Sequence, residues 1–411
     1  MRMAAPDPRH PVPLTEIDLF DPDRYGTGSQ HPAWHTLRRE APMWSQETAG
    51  GRRFWSATRH AEVSAILMDD RRFSSEYGTI LAVAGGDSAG GKTINLMDQP
   101  RHADVRLPTM RLMSTHVMRQ NTEEIRANIR DVWGPALDEG GEWDVAQLAL
   151  SLPTAAIGTV LGIPRDVWAD LPRWTMAGVA PGDPHYALGS TETETLKKAH
   201  YELFALFSDL IRVRRRRRSG DLISTLLDLD FGGRRLDDHE VLLNCYSFTM
   251  GAVTTTPHVA SHWLLAMAEQ PEAWRRLRQD PALVPAAVEE ALRWASPTNH
   301  LMRRTRVPVT VGGVDLAEGE LVCAWVASAN RDEAVFDDPY RFDPARELNP
   351  HVGLGIGAHR CIGGPAAQVA LGVFMTEVVG AVGQIELIGD VGHLFSNFIN
   401  GITHMQVGFH R

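Results

Sequence analysis

The segment "GLGIGAHRCIGG", Gly353 to Gly364, sets one cysteine in a glycine-rich loop just ahead of an apolar run, "GPAAQVALGVFMTEVVGAV". The apolar run predicts a helix. Pro365 suits its first turn, where a backbone N–H would be unpaired anyway. A cysteine at a helix N-terminus has its thiolate favoured by the helix dipole and by free N–H groups. Glycines at 355, 357 and 363 would let a large planar group approach the backbone. Cys361 is therefore the first candidate for chemistry.

The rest of the chain narrows the choice. It has 411 residues, 43% hydrophobic and 22% charged, an ordinary globular composition. Cys245, Cys323 and Cys361 are the three cysteines, far apart and without a CxxC pair, which argues against a disulfide framework or a zinc site. A reducing, cytoplasmic compartment fits that usage. The formal net charge of −10 favours solubility and speaks against nucleic acid. The N-terminal "MRMAAPDPRHPVPL" has no apolar run, so neither a signal peptide nor a membrane span is expected. Residues 1–30 are expected as an extended segment leading into a single domain over 1–411.

Periodicity predicts a mainly α fold with a smaller β region. "GRRFWSATR", "RVPVTVGGVDLAEGELVCAWVASAN" and "HMQVGFH" carry the strand signals, with a hairpin at Gly312-Gly313. "DDHEVLLNCYSFTMGAVTTTPHVASHWLLAMAEQ" reads as the longest helix, entered through a capping box at Asp237 and Glu240. Pro257 should kink it near Val253, because it cannot donate to the carbonyl four residues earlier. Six arginines within Arg212–Arg218 read as the exposed end of a helix, and "GGDSAGGKT" lacks the strand and helix of a phosphate loop.

One axial thiolate, no second soft ligand and a tight glycine loop fit haem iron better than zinc. At this point the chain resembles the cytochrome P-450 superfamily, the haem-thiolate monooxygenases. The family loop FGxGxHxCxG appears as "LGIGAHRCIG", Leu354 to Gly363, departing only where Leu354 stands for phenylalanine. ExxR is present as Glu290 and Arg293, "DDPYRF" offers Arg341 as third member of that structural charge cluster, and "MDQPRHADVR" resembles DPPxHxxxR. The resemblance covers nearly the whole chain, from about Pro32 onward.

The resemblance implies haem b, with Cys361 as axial iron ligand and His102, Arg106, Arg303 and His359 as propionate partners. Two propionates need cationic, bidentate partners in a buried site. It also implies O2 as co-substrate, electrons from NAD(P)H through a ferredoxin and its reductase, and a small organic substrate. In the family motif (A/G)Gx(D/E)TT, Gly251 matches the glycine and Thr254 the oxygen-side threonine, with Thr255 beside it. Val253 then occupies the acid position, so the usual proton relay lacks its acid. Met250, Val253, Asn299 and Phe398 are expected to line a substrate pocket of mixed polarity, beneath a lid around Trp174–Tyr186. Soluble, bacterial-type members of this length resemble enzymes that tailor natural products. Oxidative coupling, ring formation or nitration stand as alternatives to hydroxylation, and a carrier-protein-bound substrate is open. A ligand-binding haem-thiolate protein without turnover, and an enzyme using Cys361 as nucleophile beside His359, are the rival classes.

Overall fold

The computed structural model describes residues 9–411, of which the first eight residues of the expected extended segment are no part. The remainder of that segment is not extended. It forms short helical turns at Leu14–Glu16 and Asp23–Gly26. Tyr25 anchors them by packing against Trp34 and Trp325, ring centroids 6.0 and 6.2 Å apart.

About 52% of the chain is helical, with a smaller sheet region. The main sheet is built from β1 (Met43–Glu47), β2 (Arg53–Ala57), β3 (Phe73–Ser74), β5 (Leu301–Thr305) and β8 (Leu321–Ala324), in the order β1-β2-β8-β5-β3. A second sheet joins β4 (Gly141–Asp144), β10 (Ile402–His410) and β9 (Gln384–His393). Strands β6 (Val309–Val311) and β7 (Val314–Leu316) form the expected hairpin. Gly312 and Gly313 turn it with φ of 55° and 79°, the left-handed pair that matches strand twist. The strand signal continuing through "VASAN" is overturned: Val326–Ala329 is a short helix.

The helix after the cysteine loop, Gly364–Ala381, is the one among the described residues long and apolar enough to cross a membrane. Half of it is buried inside the fold, where Phe374 meets Trp133 and Trp263 at 4.6 and 5.9 Å. Its apolarity is that of a core helix packed on several faces.

The longest helical run starts as expected, with the Asp237–Glu240 capping box in place. It is two helices, however: Asp238–Val253 and Thr256–Glu269. Pro257 sits in the first turn of the second, so the Val253 carbonyl has lost its usual donor. The hydroxyls of Thr254 and Thr255 bond the Met250 and Gly251 carbonyls at 2.7 and 2.9 Å, which bends the chain further.

The arginine run ends the helix Glu192–Arg216 and is largely neutralised. Arg212 pairs with Asp209, Arg214 with Asp221, Arg215 with Asp238 and Arg218 with Asp228.

Candidate haem-thiolate site

Three features shape the cysteine loop. The Cys361 N–H bonds the Leu354 carbonyl at 2.7 Å, closing the loop on itself. Gly355 and Gly357 adopt φ of 64° and 73°. A Cβ on Gly357 would lie 2.6 Å from the Leu67 carbonyl, so this glycine serves loop packing against protein and not ligand access. The chain then enters the helix at Gly364, with Pro365 in its first turn.

The Cys361 side chain is accessible, yet protein surrounds it densely enough that burial pushes its thiol up. The Gly363 and Gly364 N–H groups and the charges of Arg106 and Arg360 pull the other way.

Around it the fold gathers residues far apart in sequence. The rings of His102 and His359 pack against each other, tilted by 32° with centroids 4.1 Å apart. Arg106 donates to the Arg360 carbonyl at 2.5 Å, beside the cysteine. Burial lowers His102 to about 4 and Arg303 to about 10. His359 falls to about 2, from burial and from the neighbouring Arg303, His102 and Arg106. Arg303 bonds the Met302 carbonyl and makes no ion pair among the described residues. The buried Nε2 of His102 has no partner among them either. A cluster of donors with an orphaned imidazole nitrogen and an unpaired buried guanidinium fits a dianionic group. Haem would suit that requirement: these donors would hold its two propionates and the Cys361 thiolate would be its iron ligand.

Beneath the loop lies the charge cluster. Arg293 donates through Nε and Nη2 to the two Glu290 oxygens, at 2.7 Å each, and both side chains are 0% exposed. The third member is not Arg341, whose side chain is 62% exposed and pairs with Asp343. Arg346 takes the place, with Nε 3.2 and 3.0 Å from the Glu290 oxygens. Arg341 lends only its carbonyl, which accepts from Arg293 and Arg346. The segment "DDPYRFDPAR" offers two arginines, and only the path of the loop selects the second.

The central helix separates its threonines by exposure. Ser247, Gly251 and Thr255, spaced by four, form its accessible stripe. A Cβ on Gly251 would meet nothing within 4 Å, and its chain neighbours Met250 and Ala252 are only partly buried. Val253 is 0% exposed and Thr254 2%. Val253 packs in an apolar cluster with Phe248, Leu203 and Phe207, so it does not line a pocket. The break rotates Thr255 onto the open face, where its hydroxyl bonds the Gly251 carbonyl. The helix therefore leaves Thr255 partly exposed beside Gly251, while Thr254, in register with the motif, is buried.

Of the other pocket residues, Met250 is half-buried, and Phe398 packs partly buried beside His300, rings 5.6 Å apart. Asn299 is fully buried, both its amide atoms lacking partners. The segment expected as a lid folds as the helix Leu171–Val179 and the turn Pro184–Tyr186. Asp183 clasps it to the β9–β10 turn by accepting the Phe395 N–H at 3.2 Å.

Comparisons with known proteins identify the family. The family model "Cytochrome P450" matches residues 181–381. The chain is 30% identical to Cytochrome P450 NovI of Streptomyces niveus over 401 residues, 97% of each chain. It is 30% identical to Linalool 8-monooxygenase of Pseudomonas putida over 405 residues, 95% of this chain and 98% of that one. The crystal structure of P450 OxyD, involved in the biosynthesis of vancomycin-type antibiotics, aligns with a TM-score of 0.84 at 31% identity, over 96% of this chain and 99% of that one. The chain belongs to the cytochrome P450 family of oxidoreductases, whose members bind haem b and use O2 as co-substrate.

Proposed function

We propose that this chain works as one P450 domain and oxidises a medium-sized organic molecule in natural-product biosynthesis. The observation that carries the reading is the convergence on Cys361 of His102, whose Nε2 is buried without a partner among the described residues, with Arg106, Arg303, which makes no ion pair among them, and His359. Its likeness to OxyD supports the biosynthetic context. In this reading Cys361 ligates the iron and those four residues hold the propionates. Haem with a thiolate ligand supplies the dioxygen chemistry, the thiolate favouring O–O cleavage.

The protein's share is positioning and proton control. The Thr255 Oγ1 proton points to the Gly251 carbonyl, leaving its lone pairs to accept from water on the open face. Met250, Phe398 and the lid shape the substrate volume. NAD(P)H delivers electrons through a ferredoxin and reductase, which meet the exposed Arg360 beside the cysteine loop. The protein acts in the cytoplasm without nucleic acid or membrane. Pairing of the arginine run with four aspartates weakens the idea of a carrier protein docking there.

A second reading, oxidative coupling or ring closure, is favoured by one observation: no carboxylate occurs from Met250 to His258, and Val253 stands at the acid position. A carbon monoxide difference spectrum of the reduced protein tests the haem-thiolate assignment. Absence of the family's thiolate band in folded protein rejects it. A screen of organic compounds by Soret shift, followed by product analysis, separates hydroxylation from coupling.

A further inference from the structure

The turn Leu394–Gly401 joins β9 to β10 and is tied down from two sides. On one side, Asn400 bonds the Pro297 and Ala295 carbonyls at 3.0 and 2.6 Å, and the Asn299 N–H bonds the Phe398 carbonyl at 2.8 Å. On the other, the helix Thr256–Glu269 reaches it with two imidazoles. His258 Nδ1 accepts the Ile402 N–H at 3.3 Å, and His262 Nε2 donates to the Asn400 carbonyl at 3.2 Å.

These bonds straddle Gly401. A Cβ there would stand 3.1 Å from the His258 ring and 3.0 Å from Leu394 Cβ, so the ring closes against bare backbone. Burial keeps both imidazoles neutral, lowering them to about 4 and about 3, with His393 and Arg331 adding to the effect on His262. The remaining nitrogen of His258, Nε2, is buried without a partner among the described residues. A leucine would avoid that penalty but would orphan the Ile402 N–H.

His258 also sits in the first turn after the helix break. Its N–H bonds the Thr255 carbonyl at 3.1 Å. One short stretch thus carries both the open-face threonine and the anchor of the turn that bears Phe398.

We propose that His258 and His262 are positioning residues that hold the Phe398 turn in register with Thr255, and so decide which part of the substrate is presented for oxidation. This rests on the reading of Phe398 and Thr255 as walls of the substrate chamber.

The test uses the haem-loaded protein and three variants: His258→Leu, His258→Asn and His262→Leu. Asparagine keeps an acceptor near the Nδ1 position and leucine does not. In His258→Leu, amide hydrogen exchange across 394–402 should speed up about tenfold or more, as loss of a buried bond predicts. The dissociation constant for 4-phenylimidazole, read by Soret shift, should rise several-fold, about what a modestly displaced pocket wall gives. Asparagine should restore both, and the carbon monoxide band should stay unchanged throughout. Unchanged exchange and affinity in the leucine variant, or no rescue by asparagine, would overturn the proposal. If His258→Leu fails to fold, His262→Leu, which frees only the Asn400 carbonyl, decides by the same two measurements. A wild-type protein lacking the thiolate band would sink the haem reading instead, and the exchange measurement would still judge the brace.

Discussion

Thr255 and Gly251 face each other across the broken central helix, the threonine hydroxyl donating to the glycine carbonyl at 2.9 Å on the accessible stripe. Thr254 makes the same kind of bond to Met250 but turns into the core. Thr255→Ala should therefore cut product formed per O2 consumed by about ten- to a hundredfold, the range expected for a lost proton-handling group. Thr254→Val should have a far smaller effect. Oxygen uptake, peroxide release and product yield, measured together, check the order; equal losses in both variants would refute it.

Val253 gives a complementary expectation. It is fully enclosed by apolar side chains. Val253→Asp should not restore a proton relay; it should destabilise the fold by several kcal/mol, as an unpaired buried carboxylate does (about 3 or more). Thr254→Asp sets an acid one residue along, next to the partly exposed Thr255. Thermal melting and coupling efficiency of the two variants separate these outcomes.

Glu290 should be indispensable for folding. It receives Arg293, Arg346, the Asp343 N–H and Asn349. Glu290→Ala leaves two buried guanidiniums without their anion, which costs about 3–5 kcal/mol. Arg346→Ala should lower the melting temperature clearly, whereas Arg341→Ala, at an exposed side chain, should change stability by no more than about 0.5 kcal/mol. A reversed ranking of Arg341 and Arg346 would contradict the observed cluster.

Removing the orphaned donors should loosen haem. Arg303→Leu and His102→Ala each delete a group aimed at the site, and each should raise the haem dissociation rate about tenfold or more, the effect of one charge-assisted bond. Transfer of haem to excess apomyoglobin measures this directly. Cys361→Ser should abolish the thiolate spectrum without a comparable loss of fold.

Stability should fall in mild acid. His258, His262 and His300 are held at about 4, about 3 and about 4 by burial, against an ordinary value of 6.5. In this window the unfolded chain binds more protons than the native one, so unfolding free energy rises with pH and is fully present above 6.5. It should decline as pH drops from 6.5 towards 4, by up to about 1.4 kcal/mol per pH unit for each histidine. Denaturant titrations at pH 7, 6 and 5 supply the check, and a flat profile would mean the three rings are not buried neutral.

The sequence by itself determined the chemistry of this protein. A single cysteine in the 353–364 loop, followed by a proline-started apolar helix, marked the candidate ligand by local constraints, and the family resemblance supplied the cofactor class. The capping box at Asp237 and the Gly312-Gly313 hairpin were legible for the same reason. What only the tertiary structure decided is which neighbour in a run does the work. Val253, Thr254 and Thr255 differ by one step of about 100° around a helix axis, and the break at Pro257 sets that rotation. Arg341 and Arg346 lie on one irregular loop, whose path alone brings the second to Glu290. His258 and His262 read as ordinary helix residues until β10 folds back against them. Local chemistry is written in residue type and spacing, whereas a side chain's facing depends on backbone geometry summed over distant contacts.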